Sequence, residues 1–365
     1  MTKKIWTALT LVAILGACGG ESEDTSSVDE PTKDLPWKVA ENTAFSKFGP
    51  TRLSEHGFFE GDLRNLSPAQ NVYPYELVAP LFTDYAEKSR FVKLHENAIV
   101  TSNDSTGKLI FPQGTVLIKN FYYRADKTAF EEDKILETRL LVKGEKGWKS
   151  LPYLWNEEQT EAYLSVSGAA RSVSHNLHGD FVYRAPTMTQ CKSCHEYKGV
   201  LKPIGPSTQN WPKGGNNPLA QWEEMGIYSE SKQVGKAKTQ TLWAHVDYSD
   251  ASKPLDDRAR SYLDINCGHC HNPNGPAKNS GLDLSLYSPN QYSLGVYKSP
   301  IAAGKGSGGH QFDIVPGAPE KSILAYRMHS TDPGIQMPEL GRSTTHKEGI
   351  ALIEEWIQKM ESNPQ

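Results

Sequence analysis

Four of the five cysteines in this 365-residue chain fall in two runs of one form, Cys191-Lys192-Ser193-Cys194-His195 and Cys267-Gly268-His269-Cys270-His271. Nothing else restricts the fold as strongly, because each run must present two thiols and a histidine to one partner. Cys-x-x-Cys-His is the attachment signature of c-type haem: the thiols form thioether bonds to the vinyl groups, and the histidine reaches the iron as an axial ligand. Two copies predict two covalently attached haem c groups, with His195 and His271 as iron ligands, and hence a chain that handles electrons. Zinc, disulfide and thioredoxin-like readings compete. Paired zinc motifs usually sit about 15–20 residues apart, whereas Cys191 and Cys267 are 76 positions apart and both pairs end in histidine. A thioredoxin-like centre calls for one pair near a βαβ pattern. Disulfides suit an exported protein but give no reason for the histidines.

The fifth cysteine belongs to the N-terminus. Lys3 and Lys4 precede a mostly apolar run from Ile5 to Leu15, and Leu15-Gly16-Ala17-Cys18 follows. This is the layout of a secretory signal, and its end resembles a bacterial lipoprotein box. The resemblance implies cleavage after residue 17 and acylation of Cys18, giving a lipid anchor in the bilayer; several acyl chains on one residue hold stably where one would not. The apolar run is too short to span a bilayer. Gly19 after the cysteine, rather than Asp, implies a cell-envelope lipoprotein on the periplasmic side of the outer membrane. Export also agrees with haem attachment, which takes place outside the bacterial cytoplasm.

Residues 18–36 are small, polar and acidic, a composition that cannot bury enough surface to offset its ordering entropy. They read as a flexible tether. Net charge is −4, or −6 once Lys3 and Lys4 leave with the signal; this mild acidity argues against nucleic acid as a partner.

The fold class expected is α+β. Residues 37–209 read as a β-rich domain ending in the first haem motif. Thr115–Tyr123, Ile135–Lys143 and Trp148–Trp155 are rich in β-branched and aromatic residues, and Gly144-Glu145-Lys146-Gly147 makes a hairpin connection. Residues 210–252 are polar and Gly/Pro-punctuated, a connecting segment with one helix around Leu219–Met225. Residues 253–365 carry helical periods: Leu255–Ile265 directly before the second motif, Ile323–Met328 after a Pro319–Ser322 start, and Lys347–Met360 with Ile350, Ile353, Trp356, Ile357 and Met360 on one side. Three helices so placed resemble a small all-α class I cytochrome c domain, whose first and last helices cross beside the porphyrin.

That resemblance implies a sixth ligand for the second haem. Met337, 66 positions beyond His271, precedes Pro338 in a Gly/Pro-rich loop, where cytochromes c place their thioether sulfur. Met/His ligation raises the potential. A gap-filling methionine is the plainer alternative; Met328, on a helical apolar period with Ile323 and Leu324, is assigned to the core. For the first haem, His175, His178, Met188, Met225 and His245 are all available, and spacing selects none. A five-coordinate iron is a further option.

The runs PYELVAPLFTDYAEKSRFVKL (74–94), FPQGTVLIKNFYY (111–123), CKSCH (191–195), RARSYLDINCGHCHNPNG (258–275) and MPELGR (337–342) resemble a family of exported bacterial dihaem c-type cytochromes over nearly all of the mature chain. More loosely, a β-rich domain ending in a haem motif is similar to cytochrome c′-beta, which would place Lys119 or Phe121 at a pocket edge; structural lysine and core phenylalanine are the plainer readings. Two functions follow. One is electron transfer between redox partner proteins, since no motif for hydrolysis, phosphoryl transfer or nicotinamide binding is present. The other is a haem enzyme or gas-binding protein using an open first haem on peroxide, nitric oxide or a reduced nitrogen compound.

Overall fold

In the computed structural model, which describes residues 37–361 apart from 38, 104–105, 214–216, 231–242 and 302, the first half of the chain is built of strands. In order they are β1 (Val72–Pro74), β2 (Glu87–Lys93), β3 (Thr101–Ser102), β4 (Leu109–Ile110), β5 (Val116–Tyr123), β6 (Lys134–Gly144), β7 (Gly147–Trp155), β8 (Ala162–Leu164), β9 (Ala169–His175), β10 (Gly179–Ala185), β11 (Glu196–Tyr197) and β12 (Val200–Leu201). Six of them form one sheet in the order β1-β2-β5-β6-β7-β8, every pair antiparallel. The hairpin expected at 144–147 forms, with Gly144 opposite Gly147 and a two-residue loop between them. Residues 1–17, Cys18 and the rest of the 18–36 tether lie outside the described residues.

Because side chains alternate along a strand, the sheet has two distinct faces, and both are covered. One packs Phe91, Ile118, Leu140, Leu151, Tyr153 and Trp155 against Leu53 and Phe58 from the segment before β1. On the other, Phe121, Tyr123 and Leu154 meet Val173, Phe181 and Tyr183 of the β9–β10 hairpin, while Val92 and Leu117 meet Trp211 and Trp222. The middle of this second face, between its two apolar ends, bears Arg90, Lys119 and Arg139 instead.

The helices are α1 (Met188–Cys194), α2 (Pro218–Glu224), α3 (Leu255–Leu263), α4 (Gln291–Leu294), α5 (Ile323–His329) and α6 (Lys347–Gln358). α3 runs into a single π turn, Asp264–Gly268. Beyond Leu201 the described residues contain isolated bridges but no strand, so the architecture is α+β, strands first and helices after. Ile350, Ile353, Trp356 and Ile357 of α6 recur at helical spacing and are buried with Tyr262 and Leu263 of α3 and Met328 of α5 in one core. Burying each such side chain is worth about 1.5–3 kcal/mol before entropy is counted. Trp356 Nε1 also donates to Asp256 Oδ1 at 2.8 Å, fastening α6 to α3.

The described residues all belong to one compact unit. Asp84, 2% exposed, accepts from the backbone N–H groups of Ser343 (2.7 Å) and Thr344 (2.9 Å). Phe82 N donates to Asn266 Oδ1 at 2.9 Å, and the Phe82 ring stacks on His346 with centroids 4.2 Å apart. The chain between β1 and β2 therefore grips the helical part at both the second thiol motif and the Met337 loop.

Candidate functional site

The first motif is a helix with its histidine at the end. Thr187 caps α1 by accepting from Gln190 N at 3.1 Å, and the Gln190 side chain returns a bond to Thr187 N at 2.9 Å. Cys191 and Cys194, three positions apart, share one helix face, and His195 is the C-cap. The small β11–β12 hairpin then brings Lys202 back: its N–H donates to His195 O at 2.7 Å, and its carbonyl meets His195 Nδ1 at 3.0 Å. A carbonyl only accepts, so the ring proton sits on Nδ1 and Nε2 presents its lone pair.

The second motif reaches the same state by another route. The π turn after α3 displaces Cys267 from the regular helical period, as single π turns often do at functional positions. His271 Nδ1 lies 3.0 Å from Ser280 Oγ. Ser280 spends its own proton on Ala277 O at 2.8 Å, so its oxygen accepts from the imidazole and His271 also turns Nε2 outward. Burial pushes the pKa of His195, His269 and His271 down to about 4, which keeps all three neutral.

Among the described residues none of the four motif cysteines is paired in a disulfide, and Cys191 and Cys267 are buried. Burial raises Cys191 to about 11, Cys267 and Cys270 to about 12, and Cys194 in the same direction. Among the described residues no cluster of three or more His, Cys, Asp or Glu side chains gathers as a metal-binding group, so the geometry gives a shared zinc site no support. An iron already held in a porphyrin asks for only one or two protein ligands.

A cavity of about 90 Å³ lies between the charged middle of the sheet face and the helical core. Cys194 and His195 of the first motif line it together with His269 of the second. The two motifs are further tied where each ends, by a 2.9 Å bond from Lys198 N to Asn274 O. Met337 lines the cavity as well, and His271 does not. The Met337 loop is held from several sides: Met337 N donates to Arg327 O at 3.0 Å, and the buried Arg342 guanidinium donates to Met337 O and Ser330 O, both at 2.8 Å. Met328 is buried in the helical core, as expected, and its side chain also reaches this cavity.

None of the five other candidates for the first iron lines the cavity. Met225 is 59% exposed, and Met188 packs on the sheet core. His245 pairs through Nε2 with Asp264 at 2.7 Å, and His178 stacks on Tyr85 with His175 beside it. The cavity brings in two histidines that sequence reading passed over, His269 and His346. His346 is engaged with Tyr262 OH at 3.2 Å, while His269 keeps a buried Nδ1 with no hydrogen-bond partner. The available signal was its position inside the motif, where it reads as a spacer. No protein-family model, curated protein or solved structure was found to match this chain.

Proposed function

We propose that this chain is a dihaem c-type cytochrome that transfers electrons in the bacterial cell envelope. The observation that carries the reading is the matched treatment of the two motif histidines: each spends Nδ1–H on an oxygen of its own loop and turns an unprotonated Nε2 outward. Partners of this type fix the tautomer and orientation of metal-ligating histidines. Cys191 and Cys194, with His195, would hold one group; Cys267 and Cys270, with His271, the other. Covalently bound haem would supply a one-electron carrier at each position, and the protein sets its potential through ligand, burial and charge. Met337 is proposed as the thioether ligand of the second haem, within an all-α cytochrome c domain over residues 253–365. In support, α3 and α6 pack against each other beside the second motif, and the Met337 loop is immobilised by Arg342 and Asp84. Acylated Cys18 and the 18–36 tether would keep the molecule on the periplasmic side of the outer membrane, within reach of its redox partner proteins.

A second reading has one observation of its own. His195 opens on a cavity lined by Lys119, Arg139 and His269 rather than by hydrocarbon alone, which suits a first haem that admits a small polar molecule. The experiment that decides is maturation in a host competent for cytochrome c assembly, with intact mass and spin-state spectra of the purified protein. Two haems by mass, both low-spin and indifferent to carbon monoxide, support the carrier; a high-spin haem that binds carbon monoxide supports the second reading. Mass without added haem sinks both.

A further inference from the structure

The cavity floor carries charge where its neighbours carry hydrocarbon. The register sets Arg90 of β2 opposite Lys119 of β5, and Lys119 opposite Arg139 of β6. Three basic side chains therefore stand side by side on adjacent strands, which run about 4.8 Å apart. Lys88 adds a fourth on the same face, two positions before Arg90. Like charges directly opposite one another destabilise a sheet, and buried charges cost free energy unless paired. Glu137 faces the same way: its Oε1 accepts from Arg139 and from Tyr183 OH, while its buried Oε2 has no hydrogen-bond partner. Lys119 has no hydrogen bond or ion pair among the described residues. Its ammonium lies 4.7 Å from the centroid of the Phe121 ring, and the Arg139 guanidinium lies 4.1 Å from the same centroid. Lys119 and Arg139 both line the cavity, and Arg342 meets it from the helical side.

We propose that Lys119 and Arg139, with Arg90 next to Lys119 in the row but outside the cavity lining, form an oxyanion seat, taking carboxylate or small-oxyanion oxygens presented from the cavity beside the first thiol pair. An arginine fork with a lysine point charge is the usual chemistry for such groups. Burial, with Arg90 and Lys88 alongside, holds the Lys119 ammonium well below the ordinary lysine range, so an anion seated here restores its charge. Two sources present the same oxygens. One is the carboxylates of a haem fastened at Cys191 and Cys194, which rests on the function proposed above. The other is a free oxyanion entering from solvent.

The test uses the mature protein, its haem content fixed by intact mass, titrated calorimetrically with nitrite and with inorganic phosphate beside Lys119→Met and Lys119→Arg. A free-oxyanion seat binds one of these ions, loses about tenfold or more in affinity with Lys119→Met, and recovers with Lys119→Arg. A seat for haem carboxylates binds neither ion; there Lys119→Met lowers the potential of one haem and the thermal midpoint, and Lys119→Arg restores both. The seat is overturned if Lys119→Met leaves affinity and potentials unchanged while raising the midpoint, as relief of unpaired repulsion would. Should intact mass reveal no haem, the function above fails and calorimetry alone decides: no ion bound by wild-type protein then removes the seat as well.

Discussion

The two motif histidines are fixed by different kinds of oxygen, and this makes them separable. His195 leans on a backbone carbonyl, Lys202 O, that no substitution removes; His271 leans on a side chain, Ser280 Oγ. Ser280→Ala therefore strips the outer hydrogen bond from one proposed ligand and leaves the other intact. An Nδ1–H donating to oxygen makes imidazole more basic and favours the oxidised iron, so its loss raises the potential. A neutral hydrogen bond is worth about 1 kcal/mol net. For a one-electron couple, about 59 mV corresponds to about 1.4 kcal/mol. If half to all of the bond energy discriminates between oxidation states, the shift is about 20–40 mV upward. Ser280 also donates to Ala277 O and accepts from Leu282 N at 3.2 Å, so folding stability falls by about 1–3 kcal/mol. Ser280→Thr keeps the hydroxyl and should keep the potential. The assay is an optical redox titration of purified protein, fitted as two one-electron steps. Two unmoved potentials, or a shift in both, would refute the assignment of His271 as a ligand set by Ser280.

Met337→Ala should lower one potential, and in the proposed ligation it is the same step that Ser280→Ala raises; movement of the other step would give Met337 to the His195 haem, whose cavity it lines. Asp84→Ala orphans the N–H groups of Ser343 and Thr344 and should cost about 2–4 kcal/mol in urea unfolding. Asp84→Asn keeps an acceptor at Oδ1 and should cost less than half of that; equal losses would show that the carboxylate charge, not the acceptor, holds the loop. His346, with its side chain 12% exposed, is pushed by burial down to about 4, as is His56. Both lie below the unfolded value near 6.5, so stability is full above pH 6.5 and drains as pH falls toward 4, by at most about 3 kcal/mol each. His346→Phe should flatten that window in chemical denaturation; an unchanged pH slope would count against a neutral buried His346.

Local pattern carried the strands and helices because each had a strong period and firm punctuation. Thr115–Tyr123 and Ile135–Lys143 coincide with β5 and β6 to within one residue at either end, and Lys347–Met360 contains α6. The thiol motifs were legible for the same reason: their chemistry is contiguous in sequence. What escaped was everything fixed by register and by contact across the chain. Arg90, Lys119 and Arg139 are scattered singly among apolar neighbours, and only the pairing of three strands turns them into a row. His269 counted as a spacer until the fold aimed it at the cavity of the other motif. Asp84 sits in a stretch without a period, and its partners lie about 260 positions away.

The segment that joins the two halves also explains why His269 of the second motif reaches the cavity lined by Cys194 and His195 of the first. Phe82 is bound to Asn266, one residue before Cys267, and Asp84 to the loop that follows Met337. On the sheet side, the backbone bond from Lys198 to Asn274 ties the turn after His195 to the turn after His271. With both attachments in place, the second motif cannot retreat from the first without breaking these hydrogen bonds, each worth about 0.5–1.5 kcal/mol net. Two independent haem domains on a linker would need none of these contacts. Such contacts hold the two motifs at a fixed distance, the property that the proposed two-centre electron path requires and a merely covalent tether does not provide.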